Sequence, residues 1–214
     1  MKIALIGGTG FVGSAVLKEL LSRGHQVTAL ARNPEKYTTS ANLAVVRADA
    51  YDASQVSAAV RNHDAVVSAF NPGWKEPEIR ALYGRGHAAI VEGVKNGGVK
   101  RYLEVGGAGS LFVAPGIQGV DTPQFPAEWR EGALGARDAL ESLRQEAALE
   151  WTFISPPANL HPGERTGRYR LGADDLLMDG DLPAGISVDD LALAIVDELE
   201  KPQHVRRRFT VASA

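Results

Sequence analysis

Short apolar runs rich in β-branched residues alternate with stretches of helical spacing along nearly the whole chain. Lys2 to Gly7 is apolar on both faces, as a strand buried between two layers must be, and Val12, Val16, Leu17, Leu20 and Leu21 follow at the spacing of one helix face. Gly24 marks the expected end of that helix. Gln26 to Ala31, Leu43 to Arg47, Asp64 to Phe70, Lys100 to Val105 and Trp151 to Ser155 read as further strands. Helices are predicted over Ser54 to Asn62, over Glu78 to Asn96 before Gly97-Gly98, and around Ala136, Leu140, Leu143 and Ala147. Strands joined by helical crossovers run parallel with helices on both faces, so the pattern predicts an α/β fold with a doubly wound parallel sheet.

The last third departs from this rhythm. Ser187 with Asp190 three residues on resembles a capping box, opening a helix with Leu191, Ile195 and Leu199 on one face and ending before Pro202. Arg208 to Ala212 reads as a last edge strand. Two stretches rich in glycine and proline, residues 106–130 and 156–186, follow the C-terminal ends of strands, where open α/β sheets bind ligands. They are expected to wall a substrate pocket, forming a small C-terminal substrate-binding portion within a single domain over residues 1–214. No internal repeat or low-complexity segment interrupts it.

Composition narrows the function. With 44% hydrophobic and 23% charged residues in 214, the chain has material for a full core, which excludes disorder. Its net charge of -3 argues against nucleic acid as a partner, since counterion release needs a basic face. The absence of cysteine removes disulfides, thiol nucleophiles and thiolate zinc sites, and suits a reducing cytoplasm. No apolar run approaches the roughly 18 residues that span a bilayer, so no membrane partner is expected. Lys2 ahead of Ile3, Ala4, Leu5 and Ile6 has the look of a secretory leader, but Gly7, Gly8 and Gly10 break the apolar stretch at once.

Those glycines carry the chemistry. Gly7-Gly8-Thr9-Gly10-Phe11-Val12-Gly13 places glycines at positions 7, 10 and 13, directly after a strand and before an amphipathic helix. The first permits a tight turn, the second lets backbone N–H groups reach a pyrophosphate, and the third lets the helix lie close to the sheet. The loop therefore predicts dinucleotide binding; a glycine turn needed for packing alone is the plainer alternative. At the end of the second strand an acid would bind a ribose 2′-hydroxyl, but the chain has Arg32, a planar cation suited to a 2′-phosphate. NADP(H) is favoured over NAD(H). Asp49 and Ala50 are expected beside the adenine, and Ser68, Ala69 and Phe70 over the ribose and pyrophosphate. Asp49 equally suits a turn, and Phe70 equally suits the core.

The opening MKIALIGGTGFVGSAVLKELLSRGHQVTALARNPEK, the VGGAGS of Val105 to Ser110, the SPPA of Ser155 to Ala158, the RTGRYRLG of Arg165 to Gly172 and ISVDDLALAIVDELE from Ile186 resemble the NADH-flavin reductases. These are small NmrA-like, atypical members of the short-chain dehydrogenase/reductase superfamily, and the likeness spans almost the entire chain. The resemblance implies an NAD(P)-binding Rossmann fold and reductase activity on FMN, FAD or a similar planar, quinone-like acceptor. It adds Gly106, Gly107, Ser155 and Pro156 to the residues around the cofactor. Typical members of the superfamily carry Tyr-x-x-x-Lys on the helix after the fifth strand, where tyrosine protonates the substrate and lysine lowers its pKa. Here Ala133 stands at the tyrosine and Arg137 at the lysine.

Few other groups compete. His25, His63, His87 and His204 sit in turns, a helix and the tail without metal spacing. His161, after the sixth strand, is a candidate proton donor set against an ordinary loop histidine, and Ser110 a candidate acceptor ligand set against a turn serine. Trp74 and Trp129, read as loop residues, are candidates for stacking on a flavin ring. Arg165, Arg168 and Arg170 and the run Arg206-Arg207-Arg208 read either as phosphate-attracting clusters or as solvated arginines guarding an edge strand. The expected function is an NAD(P)H-dependent oxidoreductase passing hydride to a flavin-like acceptor without a tyrosine–lysine relay. A non-catalytic NADP(H) sensor and a sugar-nucleotide epimerase or dehydratase are the alternatives. Oligomeric state is not legible.

Overall fold

A computed structural model gives the fold and describes residues 1–38 and 40–214. Its main elements are β1 (Lys2–Ile6), α1 (Phe11–Ser22), β2 (Gln26–Ala31), β3 (Leu43–Arg47), α2 (Ala53–Val60), β4 (Ala65–Ser68), α3 (Ile79–Asn96), β5 (Arg101–Val105), α4 (Ala127–Arg144), β6 (Glu150–Ser155), β7 (Tyr169–Gly172), α5 (Val188–Glu200) and β8 (Arg207–Ser213). The strands form one sheet in the order β7-β8-β6-β5-β4-β1-β2-β3, parallel throughout except for β7. This is the expected doubly wound α/β fold of Rossmann type.

Alternation along β1 shows how the core divides. Ile3 and Leu5 point to one face, where they pack with Val16 and Leu20 of α1, Ile195 of α5 and Phe209 of β8. Ala4 and Ile6 point to the other, against Val56 of α2, Ile90 of α3 and Leu140 of α4. A strand covered on both faces has no polar side to show, which is why its sequence reads as a continuous apolar run. Gly24 takes φ +76 and ends α1, as its position in the pattern predicts.

Several expectations for the last third are corrected. Arg208 to Ala212 is not an edge: β8 lies between β6 and β7, because residues 169–172 return to pair antiparallel beside it. Trp129 stands in the first turn of α4 rather than in a loop. Most of the candidate solvated arginines are engaged. Arg165 grips Glu19 with two hydrogen bonds of 2.9 Å, and Arg170 holds Asp179 and the carbonyl of Met178, on the short hairpin next to the edge. Arg208 has a side chain only 1% exposed. Ser187 caps α5 by accepting from the Asp190 N–H at 3.1 Å, but the Asp190 carboxylate does not return the bond. It turns to the Thr166 hydroxyl at 2.7 Å and the Gly167 amide at 2.9 Å.

One buried polar cluster ties α3 to the sheet. His87 Nδ1 lies 2.9 Å from Glu104 Oε2, which also accepts from the Tyr102 hydroxyl at 2.9 Å. Burial works against charge on His87, but the adjacent Glu104 carboxylate outweighs it and raises the imidazole above its ordinary value of 6.5. A histidine with a raised folded pKa stabilises fully below the unfolded value, and that contribution fades as pH climbs through the folded one. Thermal unfolding followed from about pH 6 to pH 9 should therefore show stability declining on the alkaline side, with a slope that His87→Gln lacks. Parallel curves for the two proteins would remove the pair from the account.

Candidate functional site

The connections leaving β1 and β4 pass to opposite faces of the sheet, and a cleft of ≈ 230 Å³ opens above the C-terminal ends of these strands. Gly7 begins the turn beneath it at φ +80, where a Cβ would fall 2.4 Å from the carbonyl oxygen of Ala69. A Cβ on Gly13 would fall 2.0 Å from the carbonyl oxygen of Gly7, so helix and turn meet backbone to backbone. Gly10 differs. Its nearest obstacle is the Gly7 carbonyl at 3.3 Å, which leaves the space above it free for a ligand.

Gly10 is also the N-cap of α1, with no side chain capping the helix and no acid in its first turn. The amides of Phe11, Val12 and Gly13 are left to an outside acceptor, at the positive end of the helix dipole. Phosphate fits there.

The cleft brings together Gly7, Thr9, Gly10, Arg32, Asp49, Ala50, Ala69 and Phe70 of the residues named from sequence. Asp49 Oδ1 accepts from the Tyr51 amide at 3.0 Å, a turn contact, and the residue also lines the cleft. Phe70 likewise lines the cleft while packing edge-on to Tyr83, 6.2 Å away between ring centroids. Sequence reasoning missed Lys36, Tyr37, Tyr51, Asn71 and Pro72, which also line it. Pro34 was the available signal for the first two, since it opens a one-turn helix, Pro34–Lys36, that carries Lys36 one turn beyond Arg32.

Other named residues stand apart from this cleft. Ser68 is 1% exposed, and Ser155 and Pro156 are buried. Gly106 donates its N–H to Ile154, against the ring of Phe153. Gly107 lies beside Ala136. Ser110 is buried, and its hydroxyl accepts from Arg208 at 3.0 Å, a contact made across the fold and not within its own turn. His161 lies exposed in a short strand, Asn159–His161, with Nδ1 3.0 Å from the Pro162 carbonyl. Trp74 packs over Gly132 of α4 and remains 58% exposed. Arg137 bonds Asp121 at 2.9 Å, and Ala133 is buried.

A larger hollow of ≈ 390 Å³ lies between α5 and the β7–β8 edge, lined by Asp197, Glu198, Glu200 and other groups. Its carboxylates stand among Arg23, Lys201 and His204, and its lining, among the described residues, holds no glycine turn. The smaller cleft has the open glycine turn, the free helix amides and the cations Arg32 and Lys36, and the residues present fit a nicotinamide dinucleotide.

A family model described as NAD(P)H-binding matches residues 7–202. The chain belongs to this NAD(P)H-binding family. The uncharacterised protein YwnB of Bacillus subtilis is 38% identical to it over 216 residues, covering 100% of this chain and 99% of YwnB. A Bacteroides thetaiotaomicron structure provisionally named an epimerase is 44% identical, with TM-score 0.91 over 99% of this chain and 96% of its own. A Streptococcus pneumoniae structure provisionally named an NADH-flavin reductase is 32% identical, with TM-score 0.87 over 100% of both chains. Among the described residues no helix is long and apolar enough to cross a membrane.

The two glycine roles separate experimentally. Gly13→Ala should cost about 1–3 kcal/mol of stability or more, because backbone must move. Gly10→Val should stay within about 1 kcal/mol of wild type in folding yet lose NADPH binding, as its side chain would fill the space over the helix amides. Scanning calorimetry and titration calorimetry measure the two effects; a folded Gly10→Val protein with unchanged affinity would exclude the turn from the site.

Proposed function

We propose that this protein is an NAD(P)H-dependent reductase that prefers NADP(H) and passes hydride to a planar acceptor such as FMN, FAD or a quinone. The observation that carries the cofactor preference is the conjunction of free α1 amides with Arg32 and Lys36 in one cleft, with no carboxylate at the end of β2. In this reading Phe11, Val12 and Gly13 hold the pyrophosphate through backbone N–H groups, and Arg32 holds the 2′-phosphate in a forked contact. Asp49 has an oxygen left for the adenine amino group, and Ala69 and Phe70 lie under the ribose. Bound nicotinamide would supply the hydride, and the chain orients the acceptor against it.

The acceptor class is argued from what α4 lacks. Ala133 has no proton to give, and Arg137 is tied to Asp121, so carbonyl reduction through the usual relay has no acid. A flavin or quinone takes its proton from water once hydride has arrived. The Streptococcus pneumoniae neighbour's name favours the same acceptor. The epimerase name of the Bacteroides neighbour favours a reaction for which the tyrosine position is again empty of chemistry. An NADP(H) sensor without turnover is the rival that the missing acid also supports.

Steady-state oxidation of NADPH with FMN, FAD and quinones separates reductase from sensor: the reductase turns over at least one of them, and a sensor binds NADPH and oxidises it no faster than buffer does. Arg32→Ala should weaken NADPH by about 1.5–3 kcal/mol, the loss of a charge-assisted hydrogen bond, and leave NADH nearly unchanged. Equal losses for the two cofactors would sink the proposed preference.

A further inference from the structure

Position 8 is glycine for a reason unlike positions 7 and 13. A Cβ there would meet no backbone first; its nearest neighbour, at 2.7 Å, would be the hydroxyl oxygen of Tyr37, followed by Leu5 Cδ2 at 3.1 Å. The Tyr37 hydroxyl therefore rests on the glycine turn itself, and the residue lines the cleft with Arg32 and Lys36.

How it gets there is local. Pro34 opens the single helical turn after β2, Lys36 donates its N–H to Asn33, and Tyr37 donates its own to Pro34 at 3.1 Å. The tyrosine then leaves the turn in extended geometry, and its ring packs against the apolar layer on the face of the sheet that holds Leu5. A half-buried ring moved by two torsions presents its hydroxyl at little entropic cost, unlike the long side chain of Lys36. Burial raises the phenol above its ordinary value, so it stays a protonated donor at neutral pH.

We propose that Tyr37 is a specificity-determining residue for the 2′-phosphate, its O–H donating to a phosphate oxygen whose charge Arg32 and Lys36 neutralise. The inference rests on the NADP(H) preference argued above. The pyrophosphate belongs to the amides of Phe11 to Gly13 at the head of α1. Tyr37 comes instead from the turn that begins with Arg32 at the end of β2, where the ribose 2′ position lies in this topology. A neutral donor lining the same cleft as two cations adds direction to the charge they supply: it selects a tetrahedral oxyanion at one place rather than negative charge in general.

Tyr37→Phe keeps the ring and removes the hydroxyl. In titration calorimetry the variant should bind NADPH about 5–20-fold more weakly, NADH within about twofold of wild type, and melt where wild type melts. The pair 2′,5′-ADP and 5′-AMP, which lack nicotinamide, should show the same selective loss without any reference to turnover. Equal losses on NADPH and NADH, or no loss on either, would overturn the assignment. If wild-type protein binds 2′,5′-ADP and 5′-AMP alike, the NADP(H) preference itself fails and the proposal falls with it. If wild-type protein discriminates, Arg32→Ala abolishes discrimination and Tyr37→Phe retains it in full, Tyr37 alone is excluded.

Discussion

No side chain can stand at position 13, and much of the molecule is referenced to that fact. A Cβ there would sit 2.0 Å from the Gly7 carbonyl, so α1 lies against the turn after β1 as closely as backbone allows. The head of the helix is thereby aimed over the cleft. Its far end becomes a clamp. Glu19, with a side chain 7% exposed, takes both Arg165 and Arg23, and Arg23 reaches on to Asp197 and Glu200 of α5. Burial raises the Glu19 carboxyl, but the hydrogen bonds of two guanidinium groups lower it further than burial lifts it. Desolvation offsets much of the attraction in such a network, so its main effect is register. It fixes α5 and the 165–170 segment relative to α1, and hence β7 beside β8.

The side of the cleft formed by Tyr51 and Phe70 is stiffened by a different device. The guanidinium carbon of Arg85 lies 5.2 Å from the centroid of the Tyr51 ring, which meets Phe70 edge-on at 5.5 Å, and Phe70 meets Tyr83 in turn. This row runs from the surface into the core. Gly86 makes room for it, since a Cβ there would strike the Phe70 ring at 2.3 Å. A wall of interlocked aromatic rings gives a flat ligand a surface that need not reorganise on binding. That is why Phe70 is a core residue and a cleft residue together.

The parts of the molecule legible in sequence are those whose cause is local. Strand and helix alternation, the stop at Gly24 and the glycine turn all follow from neighbours within a few residues. The failures share the opposite property. Arg208 reads as one of three tail arginines, yet Ser110 and Asp174, 98 and 34 residues away in the chain, consume its Nε–H and both Nη groups. No periodicity announces that pairing. Nor does it announce that residues 169–172 add a strand outside β8, which depends on the Glu19, Asp190 and Asp197 contacts holding that segment. Lys36 and Tyr37 lay between these cases: Pro34 signals the turn, but the apolar layer against which the tyrosine ring packs is assembled from elements along the whole chain.

The missing proton relay is a property of a whole helix face and not of two positions. Along the first half of α4, Gly132 takes the Trp74 ring, where a Cβ would come within 2.6 Å, and Gly135 takes Tyr83 at 2.9 Å. The Ala133 methyl lies 2.7 Å from where a Cβ on Gly109 would stand, and Ala136 faces Gly107. Small residues at these spacings let the 106–110 turn and α3 approach α4 closely. A tyrosine at position 133 would have to displace that turn, because its ring has nowhere to go in a packed interior. At position 137 Arg137 is committed to Asp121, just beyond the same turn. Restoring the two side chains would therefore not restore the relay. The packing that closes this space leaves no room for a tyrosine ring at position 133 and no ionisable side chain in its place.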